Sequence, residues 1–454
     1  MNEVTVSPEP AASMPRLANA YWFTTFNALS YQIVLGSPMV LFAKSLGASA
    51  TVLGIIAGMM PLLVIFQIPA AKHIGRIGYK QFVFAGWGTR VMFIFLIAGV
   101  PLTARFLAPA SQTALLLFLL FGFNLSRGIS SAAWLPWITA LVPAAVRGHY
   151  LARDSACVNA ASAATLLFSG LVLGAEPSRL QFAVIFLFSA LMGTVSLNFL
   201  KRIPDARGPE EPIGNAREPV PWRALAGHPP FRKLLRFNVA WSIGFGGLTA
   251  FTVAYLKTAA GMDEGRILLV TGASYVGGIG GLLLFGSRLD RHGSKPILLV
   301  SLLGWLGVLL GWTALAAGTL AVRPALVVAL EVLMGLGYAV FTMSNTRLAM
   351  VVVPAMGRNH CFTLYSVVAN LTLGIAPVFW GLLIDAVGDW RAGGAGYELN
   401  RYSLFFALVT VVYLVTFGLG RRLEEPKAAP VETLLRDLLA QSPLRSWMRF
   451  WPRG

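Results

Sequence analysis

The sequence is poor in charged residues. Charged side chains make up 12% of its 454 residues, and only 19 of them are aspartate or glutamate, whereas 56% of the residues are hydrophobic. Soluble globular domains carry about 25% charged residues. The segments 82–98 and 113–125 hold at most one charged residue each, and roughly 20 apolar residues suffice to cross the hydrocarbon core of a bilayer. The composition therefore excludes an ordinary soluble domain and predicts an integral membrane protein.

Motifs for metal binding, nucleotide binding and covalent catalysis are also missing. Cys157 and Cys361 lie in or beside predicted helices, at a spacing that indicates neither a metal site nor a disulfide framework. No Walker pattern is present. We therefore expect no cofactor, no metal site, no catalytic residue and no enzymatic activity. The net charge of +17 would suggest nucleic acid as a partner of a soluble protein. Here the basic residues sort by side of the membrane, so the expected partner is the lipid bilayer and not nucleic acid.

Hydropathy predicts twelve spanning helices. Residues 1–15 lack the basic start and apolar run of a signal peptide, so the first hydrophobic segment is expected to remain as a span. The predicted helices lie at about 17–43, 51–71, 82–101, 113–141, 156–174, 180–200, 234–256, 266–287, 296–318, 324–351, 361–387 and 402–420. The predicted organisation is an N-terminal segment 1–16, a six-helix bundle 17–200, a proline-rich linker 201–233, a second six-helix bundle 234–420 and an amphipathic tail 421–454.

Lysine and arginine set the expected orientation. They are concentrated in the segments on one side of the predicted spans, and eight of them fall between residues 201 and 236. By the positive-inside rule, both termini are expected in the cytoplasm. The composition, rich in alanine, glycine and arginine, favours a bacterial inner membrane. Leucines at helical spacing in segment 431–440 predict a tail helix on the inner membrane surface.

The two halves of the chain resemble each other. Segment 142–149 (VPAAVRGH) matches segment 353–360 (VPAMGRNH) at an offset of 211 residues, and segment 75–78 (GRIG) matches 290–293 (DRHG) at an offset of 215. Each match falls at the same point of the hydropathy pattern. Parallel repeats of this kind predict an all-α membrane protein of two pseudo-symmetric six-helix bundles.

A loop motif carries a resemblance to a known family. Gly286, Asp290, Arg291, Gly293 and Lys295 fit the pattern Gly-x-x-x-Asp-Arg-x-Gly-x-Lys/Arg, which resembles the loop signature of the major facilitator superfamily. The resemblance implies a central cavity between the bundles, alternating access, and a loop that latches the inner gate. The small Gly286 is expected to permit close helix packing, and Gly293 is expected to turn the chain. The first-half copy keeps Arg76 and Gly78 but has Gly75 in place of the acid, which predicts a weaker latch or a plain positive-inside turn.

Deep polar residues are the candidates for the substrate site. Arg127 in the fourth predicted helix, with Ser131 one turn later, partly resembles the second signature of that family. A charge at this depth is costly and normally faces a cavity or a partner. Arg127 is therefore interpreted as a substrate contact or a buried structural arginine, and a structural role is favoured for Arg90. The further candidates for substrate binding, each of which could instead bridge helices, are Asn27, Tyr31, Gln32, Tyr338 and Asn345.

Glu331 is the candidate for ion coupling. It is the one acidic residue predicted near the middle of a span. A lone carboxyl group in a membrane can exchange a proton, whereas sodium would need several oxygen ligands. Proton coupling is therefore favoured over sodium coupling. Pairing of Glu331 with a neighbouring helix is the alternative interpretation.

Together these features predict a secondary transporter, acting as a monomer, that moves a small organic solute by alternating access. The deep cation favours an anionic or polyhydroxylated solute, and Glu331 favours proton-linked symport. Two alternatives remain open. Efflux of drugs or other hydrophobic compounds would suit the aromatic residues of the spans. A non-transporting membrane scaffold would suit the tail helix and the degenerate first loop.

Overall fold

A computed structural model describes residues 18–142, 147–206, 228–352, 358–394, 396–426 and 428–440. The predicted N-terminal segment 1–16, most of the linker 201–233, parts of the 142–149 and 353–360 repeat and the tail after residue 440 lie outside the described residues. Within these described segments, twelve helical spans are long and apolar enough to cross a membrane. The expected all-α fold of twelve spans is confirmed.

Six spans form each half. Those of the first half are span 1 (Ala18–Leu35 and Ser37–Ser45), span 2 (Ala50–Leu63, Val64–Phe66 and Gln67–Ile77), span 3 (Tyr79–Gly99, continued by Val100–Arg105), span 4 (Pro109–Leu141), span 5 (Arg147–Leu173) and span 6 (Arg179–Arg202). Those of the second half are span 7 (Pro229–Phe245 and Leu248–Thr258), span 8 (Glu264–His292), span 9 (Ser294–Ala316), span 10 (Pro324–Val352), span 11 (Arg358–Val387) and span 12 (Arg401–Arg421).

Short additions complete the described chain. Strands β1 (Ala392–Gly394) and β2 (Tyr397–Leu399) form an antiparallel hairpin between spans 11 and 12, and a tail helix covers Val431–Ala440. Span 1 begins and span 12 ends on one side of the bundle, which we call the terminal face. The hairpin lies on the other side, which we call the opposite face.

Two helix breaks repeat between the halves. Span 1 is interrupted at Gly36, and span 7 is interrupted at Gly246 and Gly247. Gly36 and Gly247 are 211 residues apart, which is the offset of the sequence repeat. Hydropathy did not predict either break, because both flanks are equally apolar. The breaks therefore extend the internal repeat to the local backbone.

One-residue turns join spans 2 and 3 and spans 8 and 9 at the terminal face. The turn residues are Gly78, with φ of +87°, and Gly293, with φ of +89°. Residues with a Cβ rarely adopt this region. The expectation that Gly293 turns the chain is confirmed, and Gly78 does the same in the first half.

Spans 5 and 8 form a seam between the halves that widens toward the terminal face. A Cβ placed on Gly265 would lie 2.8 Å from the carbonyl oxygen of Gly170. The nearest atom of span 5 would lie 3.5 Å from a Cβ placed on Gly272 and 3.9 Å from a Cβ placed on Gly278. No described atom lies within 4 Å of a Cβ placed on Gly286. The two helices are therefore in contact at the opposite face and diverge toward the other.

Spans 2 and 11 form the equivalent seam. A Cβ on Gly54 would overlap the carbonyl group of Pro377, and one on Gly58 would overlap that of Gly374. Toward the terminal face, residues 71–77 of span 2 are exposed, with the exception of Ile74. Both seams are thus closed at the opposite face. The described structure is the conformation in which a central path would open toward the terminal face.

Candidate substrate site and gates

Arg127 lies halfway along span 4 and is half-buried. The hydroxyl group of Tyr31 on span 1 is close enough to the guanidinium of Arg127 to interact electrostatically with it. Among the described residues, no carboxylate forms an ion pair with Arg127. A cation at this depth without an anionic partner is costly. The site can therefore stabilise an anion supplied from outside the chain.

Arg90 differs from Arg127 because protein side chains already stabilise its guanidinium group. Its side chain is 1% exposed, and its guanidinium donates a hydrogen bond to the Oδ1 atom of Asn27. The rings of Trp87 and Phe123 lie 5.3 and 5.7 Å from its Cζ atom. Aromatic faces of this kind stabilise a desolvated cation. The structure thus places Asn27 against Arg90, on the interior of the first half.

Tyr275 on span 8 brings the second half to the same region. Its side chain is close enough to Tyr31 and Gln32 of span 1 to interact with them, and it also interacts with Tyr338 of span 10. Ser162 of span 5 neighbours both Tyr275 and Tyr31. Two of the predicted binding residues in the first half, Tyr31 and Gln32, therefore meet Tyr338 of the second half through Tyr275, and Arg127 joins them through Tyr31. We call the group Arg127, Tyr31, Gln32, Tyr275 and Tyr338 the central cluster.

Asn345 lies in a separate polar network. Its side-chain amide donates hydrogen bonds of 2.7 Å to Asn238 and 2.9 Å to the hydroxyl group of Tyr365. The Tyr365 hydroxyl in turn donates to Asn238 over 3.1 Å. These three residues join spans 7, 10 and 11 within the second half. The structure does not bring Asn345 into the central cluster.

Glu331 is buried away from the central cluster. Its side chain is 3% exposed, and it lies seven residues, or about 10 Å, from the start of span 10. It is therefore nearer the opposite face than the mid-span position that was expected. On the same helix face, the sulfur of Met334 accepts a hydrogen bond of 3.1 Å from the indole of Trp312. In the described part of the chain, no basic side chain forms an ion pair with Glu331.

The motif around the turn between spans 8 and 9 is only partly explained by packing. The expected close helix packing at Gly286 is absent among the described residues, because the seam is open at this point. The side chain of Asp290 lies outside the described atoms. Arg291 is exposed, and the backbone amide of Lys295 donates a 2.6 Å hydrogen bond to Glu425. In the first half, Arg76 beside the Gly78 turn is exposed to solvent.

Asp385 closes the opposite face. From the end of span 11 its carboxylate accepts hydrogen bonds from the backbone amides of Ala50 and Thr51, at 2.9 and 2.7 Å, and from the Thr51 hydroxyl at 2.6 Å. These amides are the first of span 2. A carboxylate at a helix N-terminus satisfies free amides and complements the helix dipole. This contact joins the two halves across the seam of spans 2 and 11.

The sequence profile of the Major Facilitator Superfamily matches residues 20–267 and 243–454, which together cover nearly the whole chain. The protein belongs to the major facilitator superfamily. The predicted resemblance is thereby confirmed, and with it a multi-pass membrane transporter of the secondary type rather than an enzyme. Comparison with curated proteins finds no significant match.

Solved structures of this superfamily share the fold. The xylose transporter XylE from E. coli, in an inward open conformation, is 12% identical with a TM-score of 0.68, over 92% of this chain and 98% of that one. A bacterial homologue of the human lysosomal transporter Spinster, inward-facing and unoccupied, is 13% identical with a TM-score of 0.66, over 95% and 100%. The nucleoside transporter NupG is 14% identical with a TM-score of 0.60, over 90% and 99%.

Tyr275, Ser162 and Asp385 are the functional candidates that sequence reasoning missed. Tyr275 and Ser162 carried no signal beyond being polar residues in apolar spans. Asp385 was visible as an acid near the end of a span, but its partner lies 335 positions away in the sequence. Only the superfamily's two-bundle arrangement puts spans 2 and 11 side by side.

Proposed function

We propose that this superfamily member is a proton-coupled transporter of a small anionic or polyhydroxylated organic solute. The proposal includes a bacterial inner membrane and a cytoplasmic terminal face. The observation that carries it is Arg127, a half-buried cation at the middle of its span with no described carboxylate partner. A bound anion would offset the cost of holding this charge in the membrane.

The central cluster supports both parts of the solute's chemistry. The Arg127 guanidinium can donate two parallel hydrogen bonds to a carboxylate or phosphate. The phenol groups of Tyr31, Tyr275 and Tyr338 can each donate and accept hydrogen bonds with solute hydroxyl groups. Because these groups come from both halves, a solute held among them contacts both bundles. Rocking of the bundles would then expose the solute to one face at a time.

Glu331 is the proposed proton carrier. The carboxyl group is buried in the second half without a described basic partner. Burial disfavours the charged form of a carboxylic acid, so such a group takes up and releases a proton as its access to water changes. Its separation from the central cluster means that proton and solute would be coupled through the conformational change rather than by direct contact.

Binding of candidate solutes to purified protein tests the role of Arg127. Thermal unfolding would be followed with sugars, carboxylates, sugar phosphates and amino acids, since a bound ligand raises the unfolding temperature. Arg127→Gln should weaken binding of anionic ligands by about 100-fold and leave neutral ligands within about threefold. Arg323→Gln, which removes an exposed arginine on the opposite face, is the control. Equal loss for anionic and neutral ligands would contradict the anion site.

Uptake into liposomes tests the role of Glu331. In wild-type protein an imposed pH gradient should drive accumulation of the solute identified by the binding screen. Glu331→Gln cannot exchange a proton and should abolish gradient-driven accumulation while solute-for-solute exchange continues. Glu432→Gln, at an exposed position of the tail helix, should behave as wild type. Undiminished accumulation by Glu331→Gln would refute the coupling assignment.

Efflux of hydrophobic compounds is the second candidate. The observation that favours it is the stack of Phe245 on Tyr338, with ring centroids 4.9 Å apart and planes at 15°. Such a surface suits a flat aromatic compound. If efflux is the function, planar organic cations should stabilise the protein in the same binding screen. Their binding should strengthen in Arg127→Gln, because the like charge has been removed.

A further inference from the structure

The segment after span 12 is bound to the terminal face of the second half. Residues 424–426 and 428–437, which we call the tail strap, run from the end of span 12 past the turn between spans 8 and 9. At its start, the Glu424 carboxylate pairs with Lys233 of span 7. The strap thus connects the terminal ends of four spans in one half.

The strap holds the Gly293 turn from both sides. The Glu425 carboxylate accepts hydrogen bonds from the backbone amides of Ser294, at 2.9 Å, and Lys295, at 2.6 Å. These are the first amides of span 9, and a carboxylate there is favoured by the helix dipole. On the other side of the turn, the Ala429 amide donates to the His292 carbonyl oxygen over 2.9 Å.

The tail helix adds an apolar and an ionic contact to the end of span 8. Leu434 is fully buried against a cluster that includes Phe285 and Leu289. Asp437 forms ion pairs with Arg288 at 3.1 Å and with Arg291 at 3.5 Å. The side chains of Arg288 and Asp437 are only 7% and 16% exposed. Removing one member of such a pair leaves the other charge partly desolvated, which is costly.

The two ion pairs with Asp437 lie on the side of span 8 that faces away from the seam. At 100° per residue, Arg288 is rotated by about 160° and Arg291 by about 140° from Gly286, which marks the open part of the seam with span 5. The strap therefore binds the end of span 8 on the side opposite the seam with span 5. The equivalent turn of the first half has no described strap, and Lys72 and Arg76 beside it are exposed.

We propose that the tail strap is a conformational brake. It holds the terminal end of span 8 back from span 5, and so favours the conformation that is closed at the opposite face. All strap contacts lie within the second half, so they oppose bending of span 8 relative to its own bundle and not the rocking of the bundles as such. Release of the Asp437 ion pairs and of Leu434 lets the terminal end of span 8 bend toward span 5 and complete the closure of the terminal face. The inference assumes the alternating access proposed above, but not the identity of the solute or the coupling ion.

Distance measurements between the halves test the brake. Spin labels would be attached through Glu176→Cys and Thr319→Cys, two exposed positions on the opposite face, after Cys157→Ser and Cys361→Ser. A long distance between the labels reports an open opposite face, and a short distance reports a closed one. Without any solute, Asp437→Asn and Leu434→Ala should each raise the ratio of the long-distance to the short-distance population by about tenfold. Glu432→Gln and Leu435→Ala, exposed positions on the same helix, should leave the ratio within about twofold.

Hydrogen exchange separates a released strap from an unfolded one. In Asp437→Asn, amides 286–297 and 428–437 should exchange faster, whereas those of spans 1 to 6 should keep their wild-type protection. Unchanged distance populations in Asp437→Asn and Leu434→Ala would overturn the brake even if a solute is transported. A shifted population in a protein that transports none of the tested solutes would support the brake and contradict the proposed solute class.

Discussion

The two seams between the halves are equivalent in the repeat but are built from different chemistry. At the seam of spans 2 and 11, a charged side chain, Asp385, accepts the first amides of span 2. At the seam of spans 5 and 8, the Gly265 amide near the start of span 8 donates instead to the backbone carbonyl of Gly174 over 2.7 Å. In both cases an inter-half acceptor satisfies the N-terminus of a helix. Duplication has thus preserved the place of the contact while the acceptor group differs.

The seams also differ in how tightly the helices pack. An added Cβ at Gly58 would overlap the carbonyl of Gly374, whereas one at Gly170 would lie 3.0 Å from that of Gly265. Small residues let helix backbones approach closely in membranes, where packing is a main source of helix association. The seam of spans 2 and 11 therefore has less room for a side chain. It should dominate the stability of the conformation closed at the opposite face.

The largest expected effect comes from filling the tighter seam. Gly58→Ala should force spans 2 and 11 apart and shift the population toward the open opposite face by roughly 5- to 100-fold, since overpacking costs about 1–3 kcal/mol. The spin-label pair at positions 176 and 319 measures this ratio. Gly170→Ala is the matched change in the looser seam and should shift the ratio by no more than about threefold. Equal effects would show that the seams do not differ in packing.

Gly286→Leu should shift the population in the other direction. The position is open in this conformation, so the leucine fits here but would collide with span 5 when the terminal face closes. We expect a decrease of about tenfold in the population with an open opposite face and a matching loss of transport. The unfolding temperature should stay near that of the wild type. A large drop in that temperature would instead indicate close packing at Gly286 in the conformation described.

Asp385→Asn tests the charged acceptor. Asparagine can still accept a hydrogen bond but no longer complements the helix dipole of span 2 with a charge. The conformation closed at the opposite face should lose about 1 kcal/mol of stability, which raises the ratio of the long-distance to the short-distance population by about fivefold. Because the contact is exposed, the effect should shrink as salt is raised from 0.05 to about 0.5 M. Insensitivity to both the substitution and salt would mean that Asp385 does not hold the seam.

Thr51→Val should have the smallest effect. It removes the 2.6 Å hydrogen bond between the Thr51 hydroxyl and Asp385 but leaves both backbone contacts in place. A shift of about twofold is expected. If the ratio of distance populations shifted as much as in Asp385→Asn, the Thr51 hydroxyl rather than the backbone amides of span 2 would be the main partner of Asp385. The same distance measurement separates these outcomes.

Much of the fold could be predicted because its signals, apolar runs and repeated segments, can be recognised along the sequence without knowing which helices pack together. Spans follow from runs of apolar residues, and the repeat follows from matched segments at offsets of 211 and 215 residues. The breaks at Gly36 and Gly247 were not predicted, since a local change in backbone direction leaves hydropathy unchanged. The turn at Gly293 was predicted because glycine, at this point of the loop motif, can adopt backbone conformations that other residues rarely adopt.

The candidate site was predicted only in part, because depth in a span does not reveal which way a side chain points. Tyr31, Gln32, Arg127 and Tyr338 lie together in the structure. Asn27 is equally deep, but the structure places it against Arg90. Asn345 belongs to the network with Asn238. These partners lie on other helices and become neighbours only through packing.

The tail strap lies outside the repeated region, and the described residues of the first half contain no second copy of it. A duplicated protein with identical halves would have no built-in reason to prefer one face. A single added segment gives the molecule such a preference without altering the central cluster. Selection could therefore adjust the resting state of the transporter through tail residues alone, independently of what it carries. For the same reason, a purification tag fused near the strap would alter the resting state that an experimenter measures.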